Sequence, residues 1–65
     1  MKTIYNEIEN EFVSQFMESH KGNYTEKQLR NSFKAGFNNE PLKESGFQCF
    51  LAYKAGKIHG GHTFR

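Results

Sequence analysis

The sequence predicts an α+β domain: two roughly antiparallel helices packed on a C-terminal β-hairpin, in the order α-α-β-β. Three observations carry this. Apolar residues recur every fourth position near the N-terminus, a capping box opens a second amphipathic segment at Thr25, and residues 47–64 are aromatic and glycine-rich with no helix cap. With 65 residues and 7.6 kDa the chain has room for a single domain, residues 1–65, and little spare volume for an enclosed catalytic cavity.

Helix 1 is predicted over residues 3–19. Ile4, Ile8, Phe12 and Phe16, with Tyr5 beside them, make one apolar stripe flanked by Glu7, Glu11 and Glu18. His20 and Lys21 suit the negative end of the helix, and Gly22 suits a C-cap. Val13 and Met17, four apart, fall off the stripe and either cover the domain's edge or face a partner.

Helix 2 is predicted over residues 25–39. Thr25 is its N-cap with Gln28 closing the capping box, and Tyr24 and Leu29 occupy the hydrophobic-staple positions. Leu29, Phe33, Gly36 and Phe37 form its buried face, where Gly36 admits another element closely. Glu40, placed before Pro41, ends the helix near Asn38-Asn39.

The hairpin is predicted as strands 47–53 and 58–64 about an Ala55-Gly56 turn. That register pairs Tyr53 with Ile58, Leu51 with Gly60, Cys49 with His62 and Phe47 with Phe64 on an apolar face. Phe50, Lys54, Lys57, His59, Thr63 and Arg65 fall on the other face. Phe33-Lys34-Ala35-Gly36 and Tyr53-Lys54-Ala55-Gly56 are alike, but with one in a helix and the other in a turn, no repeat is drawn from them.

The net charge of +2 conceals an asymmetry. Residues 1–20 balance at −3 and residues 21–65 at +5, with no acid among the last nineteen. On helix 2, Lys27, Arg30, Asn31 and Lys34 share a basic and amide face suited to phosphates and base edges, which makes nucleic acid the alternative partner. The small net charge weighs against that alternative.

No catalytic set is visible. Cys49 and His62 would pair only in the hairpin register, with no source for an oxyanion hole, and the chain has no Asp. His59 and His62, three apart on a strand, point to opposite faces, so no zinc site is expected and no cofactor is implied. The single cysteine precludes an internal disulfide. With no signal-like h-region at the N-terminus and no membrane-length apolar run, the location predicted is cytoplasmic.

The function read from the sequence is that of a small non-enzymatic binding protein. It acts through its surface on a protein partner, in the manner of inhibitors and adaptors, including those encoded by phages and mobile elements. Val13, Met17, Phe50, Lys54 and Lys57 are the predicted protein contacts. The unpaired hairpin edge and the Val13/Met17 patch leave the chain as monomer or homodimer.

Overall fold

The computed structural model describes residues 2–20 and 22–62. It has three helices, α1 Lys2–Ser19, α2 Glu26–Phe37 and α3 Phe47–His59, and no strand among the described residues. The predicted α-α-β-β fold and its β-hairpin are therefore overturned. The predicted first strand and the supposed turn at Ala55-Gly56 lie within one continuous helix. Lys21 of the predicted α1 cap, Thr63 and Phe64 of the predicted second strand, and Arg65 after it lie outside the described residues.

The physical reason lies in which residues α3 buries. Cys49, Ala52 and Gly56 are inward, at spacings of three and four, which is a helical seam made of small side chains. Gly60, four further on, caps the helix. A search for large apolar residues at helical spacing passes over such a seam, because the bulky groups are on the outside.

α2 begins as its sequence spells. The Thr25 hydroxyl accepts the Gln28 amide at 3.1 Å, and Gln28 Oε1 accepts the Thr25 amide at 3.1 Å. It ends in a Schellman closure: Asn39 at φ 59 sends its amide to Gly36 O, and the Glu40 amide bonds Ala35 O at 2.7 Å. α3 ends likewise, with Gly61 at φ 84 and the His62 amide on Lys57 O at 2.8 Å.

α1 runs antiparallel to α2 across a layer of rings. Phe16 meets Tyr24, Phe12 stacks on Phe33 with centroids 4.7 Å apart, and Tyr5 meets Phe37 edge-on at 4.7 Å. The predicted stripe is rotated, however. A four-residue spacing drifts by about 40° per step on a helix of 3.6 residues per turn. Ile4 and Phe16 therefore diverge, Ile4 stays 62% exposed, and Val13 goes into the core.

α2 and α3 are parallel. Gly22, just before α2, lies against the Gln48 side chain, while at the other end the Phe37 carbonyl faces Gly60 and sits 3.2 Å from His62 Nε2. A parallel pair needs a connection as long as the helix. Twelve residues of α2 span about 18 Å, within the reach of the extended segment 40–45, and this segment returns along α2. Asn31 Nδ2 donates to Glu44 at 3.4 Å, Tyr53 donates its hydroxyl to Glu40 O at 2.7 Å, and Lys57 Nζ donates to Asn39 Oδ1 at 2.6 Å.

The two helices meet through glycine. A Cβ on Gly36 would stand 2.9 Å from the Lys57 amide and closer still to Tyr53 O; one on Gly56 would stand 3.0 Å from the Phe37 amide and closer still to Phe33 O. The two aromatic-Lys-Ala-Gly tetrapeptides thus form one crossing with local two-fold character, each glycine under the carbonyl of the other segment's aromatic residue. The inward sets match at the same spacing: Leu29, Ser32 and Gly36 on α2, and Cys49, Ala52 and Gly56 on α3. The likeness set aside in the sequence is a feature of the packing. Val13, Phe16, Leu29 and Ala52 then close one core among the three helices.

Candidate functional site

Filling the inward seam of α3 with small residues puts its large ones outside. Phe47, Phe50, Lys54 and Ile58, spaced three, four and four, share the side opposite Cys49, Ala52 and Gly56. Phe47 is 69% exposed, Phe50 38% and Ile58 65%, and Lys54 is also exposed. The helix carries no acidic residue, its first turn has no side-chain cap, and Lys57 and His59 lie in its last turn. This outer face is apolar along its length, with Lys54 set within it.

Of the five predicted protein contacts, Phe50 and Lys54 lie on this face. Val13, 2% exposed, belongs to the core, and Met17 packs half-buried against it. Lys57 is turned to the returning segment, held by Asn39 Oδ1 with its ammonium 5.3 Å from the centre of the Tyr53 ring. With Val13 inside and the hairpin absent, the two grounds for self-association drawn from the sequence are removed. Phe47 and Ile58, exposed on the same face, are not among the predicted contacts, because the hairpin register turns both toward the helices. The signal that would have found them is the run of small residues Cys49, Ala52, Gly56 and Gly60 at helical spacing.

The predicted nucleic-acid residues share a groove along α2 with Glu9 and Glu26. Arg30 is committed there. Its Nη1 lies 2.8 Å from Glu9 Oε2 and 2.7 Å from Asn10 Oδ1, and its Nε lies 2.8 Å from Glu26 Oε2. These bonds to Glu9 and Glu26 raise the guanidinium above its ordinary value. Asn31 is hydrogen-bonded to Glu44, leaving Lys27 and Lys34 as exposed cations, two turns apart. The groove holds both signs of charge and is not a continuous basic track.

Next to Glu9, the Tyr5 hydroxyl is shut away from solvent without a hydrogen-bond partner. Burial first, and then the neighbouring Glu9 carboxylate, push its phenol well above the ordinary value.

The histidines and Cys49 do not converge. Cys49 is 1% exposed in the first turn of α3, whereas His62 lies beyond the far end of that helix. A helix of thirteen residues separates them by about 20 Å, so the Cys49/His62 pair of the hairpin register does not form. His20 stacks on Phe16 at 4.4 Å, and His59 lies 5.7 Å from the Phe33 ring. Among the described residues no three His, Cys, Asp or Glu side chains are placed to hold a metal ion, and no helix is long and apolar enough to cross a membrane.

Comparison with protein-family models, curated proteins and solved structures returns no match.

Proposed function

We propose that this protein is a non-enzymatic binding module that docks on another protein through the outer face of α3. The observation that carries the reading is the exposure of Phe47 and Ile58, 69% and 65%, on a helix whose inward face is small. Large apolar side chains on one side of one helix are the anchors from which protein contacts are built, and Phe50 and Lys54 extend the same strip. An inhibitor or adaptor role suits a domain this small.

The nucleic-acid alternative is the weaker reading. It needs Arg30 and Asn31 on phosphates or bases, and both are engaged by carboxylates of the same chain.

Photocrosslinking separates the two. A benzophenone amino acid is placed singly at positions 47, 58, 27 and 34, and adducts are recovered from the cells that express the protein. Discrete protein adducts from 47 and 58 are expected, with none from 27 and 34. Nucleic-acid adducts from 27 and 34, in the absence of adducts from 47 and 58, overturn the proposal in favour of the alternative.

A further inference from the structure

Resting on the reading of α3 as the contact face, we infer that the partner presents an amphipathic helix seated in the cleft between α3 and α1, with basic residues along the flank that faces α1. Both helices pack on α2, and among the described residues no Cα of one comes within 8 Å of a Cα of the other. The cleft left between them is lined by Ile8, Glu11, Phe12 and Gln15 from α1 and by His59 from α3. Leu51 and Ile58, seven apart, stand in line on α3 on the same side of its seam as His59. Ile8, Phe12 and Leu51 are half-buried and Ile58 is exposed, so both walls offer apolar surface at helical spacing. A helix laid there would complete a four-helix arrangement over the existing core. An extended peptide would find no strand edge among the described residues to pair its backbone groups, whereas a helix satisfies its own.

The apolar walls hold the helix, and the acids of α1 choose its flank. Glu7, Glu11 and Glu18, at spacings of four and seven, form one exposed row along α1, and Glu11 lines the cleft itself. Glu9 and Glu26 are taken up by Arg30, and Glu44 by Asn31. Glu7, Glu11 and Glu18 have no ion pair and no side-chain hydrogen bond among the described residues. Lysine or arginine on the flank over α1 would meet opposite charge, and an acidic flank would meet like charge. The α3 wall presents Leu51 and Ile58, so the charge requirement falls on one flank alone.

Two synthetic helices of about 20 residues test this, long enough to hold helical structure. Both carry the same leucine stripe with glutamine on one flank; the other flank is Lys in one peptide and Glu in the other. Each is titrated at low salt into the 15N-labelled full-length chain, and amide shifts locate the contact. The Lys peptide is expected to bind at least about fivefold more tightly than the Glu peptide, with shifts on α1 and α3 together. Glu7→Lys with Glu11→Lys should reverse that preference. Phe47→Ser with Ile58→Ser should weaken both peptides by about fivefold or more and leave the preference unchanged. All four replaced side chains are exposed, so the far-UV spectrum should be retained, and the two double variants are independent of one another.

Equal or tighter binding of the Glu peptide, with shifts on α3, overturns the basic flank and leaves the contact face standing. Shifts on α3 without α1 overturn the cleft and likewise leave that face. Shifts that spare α3 overturn the face itself. Binding of neither peptide overturns the inferred partner, as does concentration-dependent broadening of α1 and α3 amides without peptide, which would make a second copy the occupant.

Discussion

Gly36 and Gly56 meet at the crossing of α2 and α3, each seated under a backbone carbonyl of the other helix. The atoms that a methyl group would strike are main chain, which cannot swing aside as a side chain can. Alanine favours an isolated helix over glycine by about 1 kcal/mol, but overpacking this contact costs more, about 1–3 kcal/mol and upward. Gly36→Ala and Gly56→Ala should each destabilise the protein by a net amount of about 2 kcal/mol. Against the roughly 3–5 kcal/mol available to so small a core, that leaves a substantial unfolded population. Urea titration followed by circular dichroism measures it, and a more stable Gly56→Ala variant would contradict the parallel crossing.

Tyr5 should set part of the alkaline limit of stability. Its phenol is raised in the folded protein, by burial and by Glu9, above the unfolded value near 10. Below pH 10 the group is neutral in both states and the advantage of the folded state is complete. As pH rises further the unfolded chain ionises first, and stability falls by at most about 1.4 kcal/mol per pH unit, less to the extent that the ring edge is wet. Tyr5→Phe should flatten that part of the profile. At pH 7 the same substitution should be neutral or stabilising by up to about 1 kcal/mol, since it removes a hydroxyl that lacks a partner.

The two carboxylates on Arg30 should differ in worth. Glu9 is 13% exposed at its side chain and joins α1 to α2, whereas Glu26 is 55% exposed and lies one turn away on the same helix. Double-mutant cycles with Arg30→Met should give a coupling of about 1 kcal/mol for Glu9→Gln and about 0.3–0.5 kcal/mol for Glu26→Gln. Equal couplings would mean that the α1–α2 pair is no better shielded than a surface pair.

Thr25→Ala should cost about 1 kcal/mol, a loss of roughly 4–8 °C in Tm for a chain of this length. Thr25→Ser, which retains the hydroxyl that accepts the Gln28 amide, should stay near the parent. Differential scanning calorimetry distinguishes the two.

What could be read in the sequence depended on where the bulk of each element goes. α2 was legible because Thr25, Gln28 and Leu29 state its start in local chemistry and Pro41 bars its continuation. In α1 the spacing of Ile4, Ile8, Phe12 and Phe16 spoke for a helix but gave the wrong face, since the drift of that spacing turns Ile4 out and Val13 in. α3 was misread altogether. Its aromatic residues resemble a strand, and the glycines resemble a turn and a softened return strand. The distinction rests on Gly36 and Phe33, residues distant in sequence that accept a close neighbour only if Gly56 arrives on a helix. The candidate site inherited that error: Phe50 and Lys54 lie on the outer face in either reading, whereas Phe47 and Ile58 reach it only on a helix.

A seam of glycine, alanine and cysteine also separates two kinds of constraint that small domains normally mix. Where large side chains make the interior, a change of surface preference readily disturbs the fold. Here α3 is joined to α2 by residues that have almost no side chain to vary, while Phe47, Phe50, Lys54 and Ile58 are left outside the seam. On the proposed reading, partner choice can diverge through substitutions at the exposed Phe47 and Ile58 with the scaffold unchanged, whereas drift at Gly36 or Gly56 is closed.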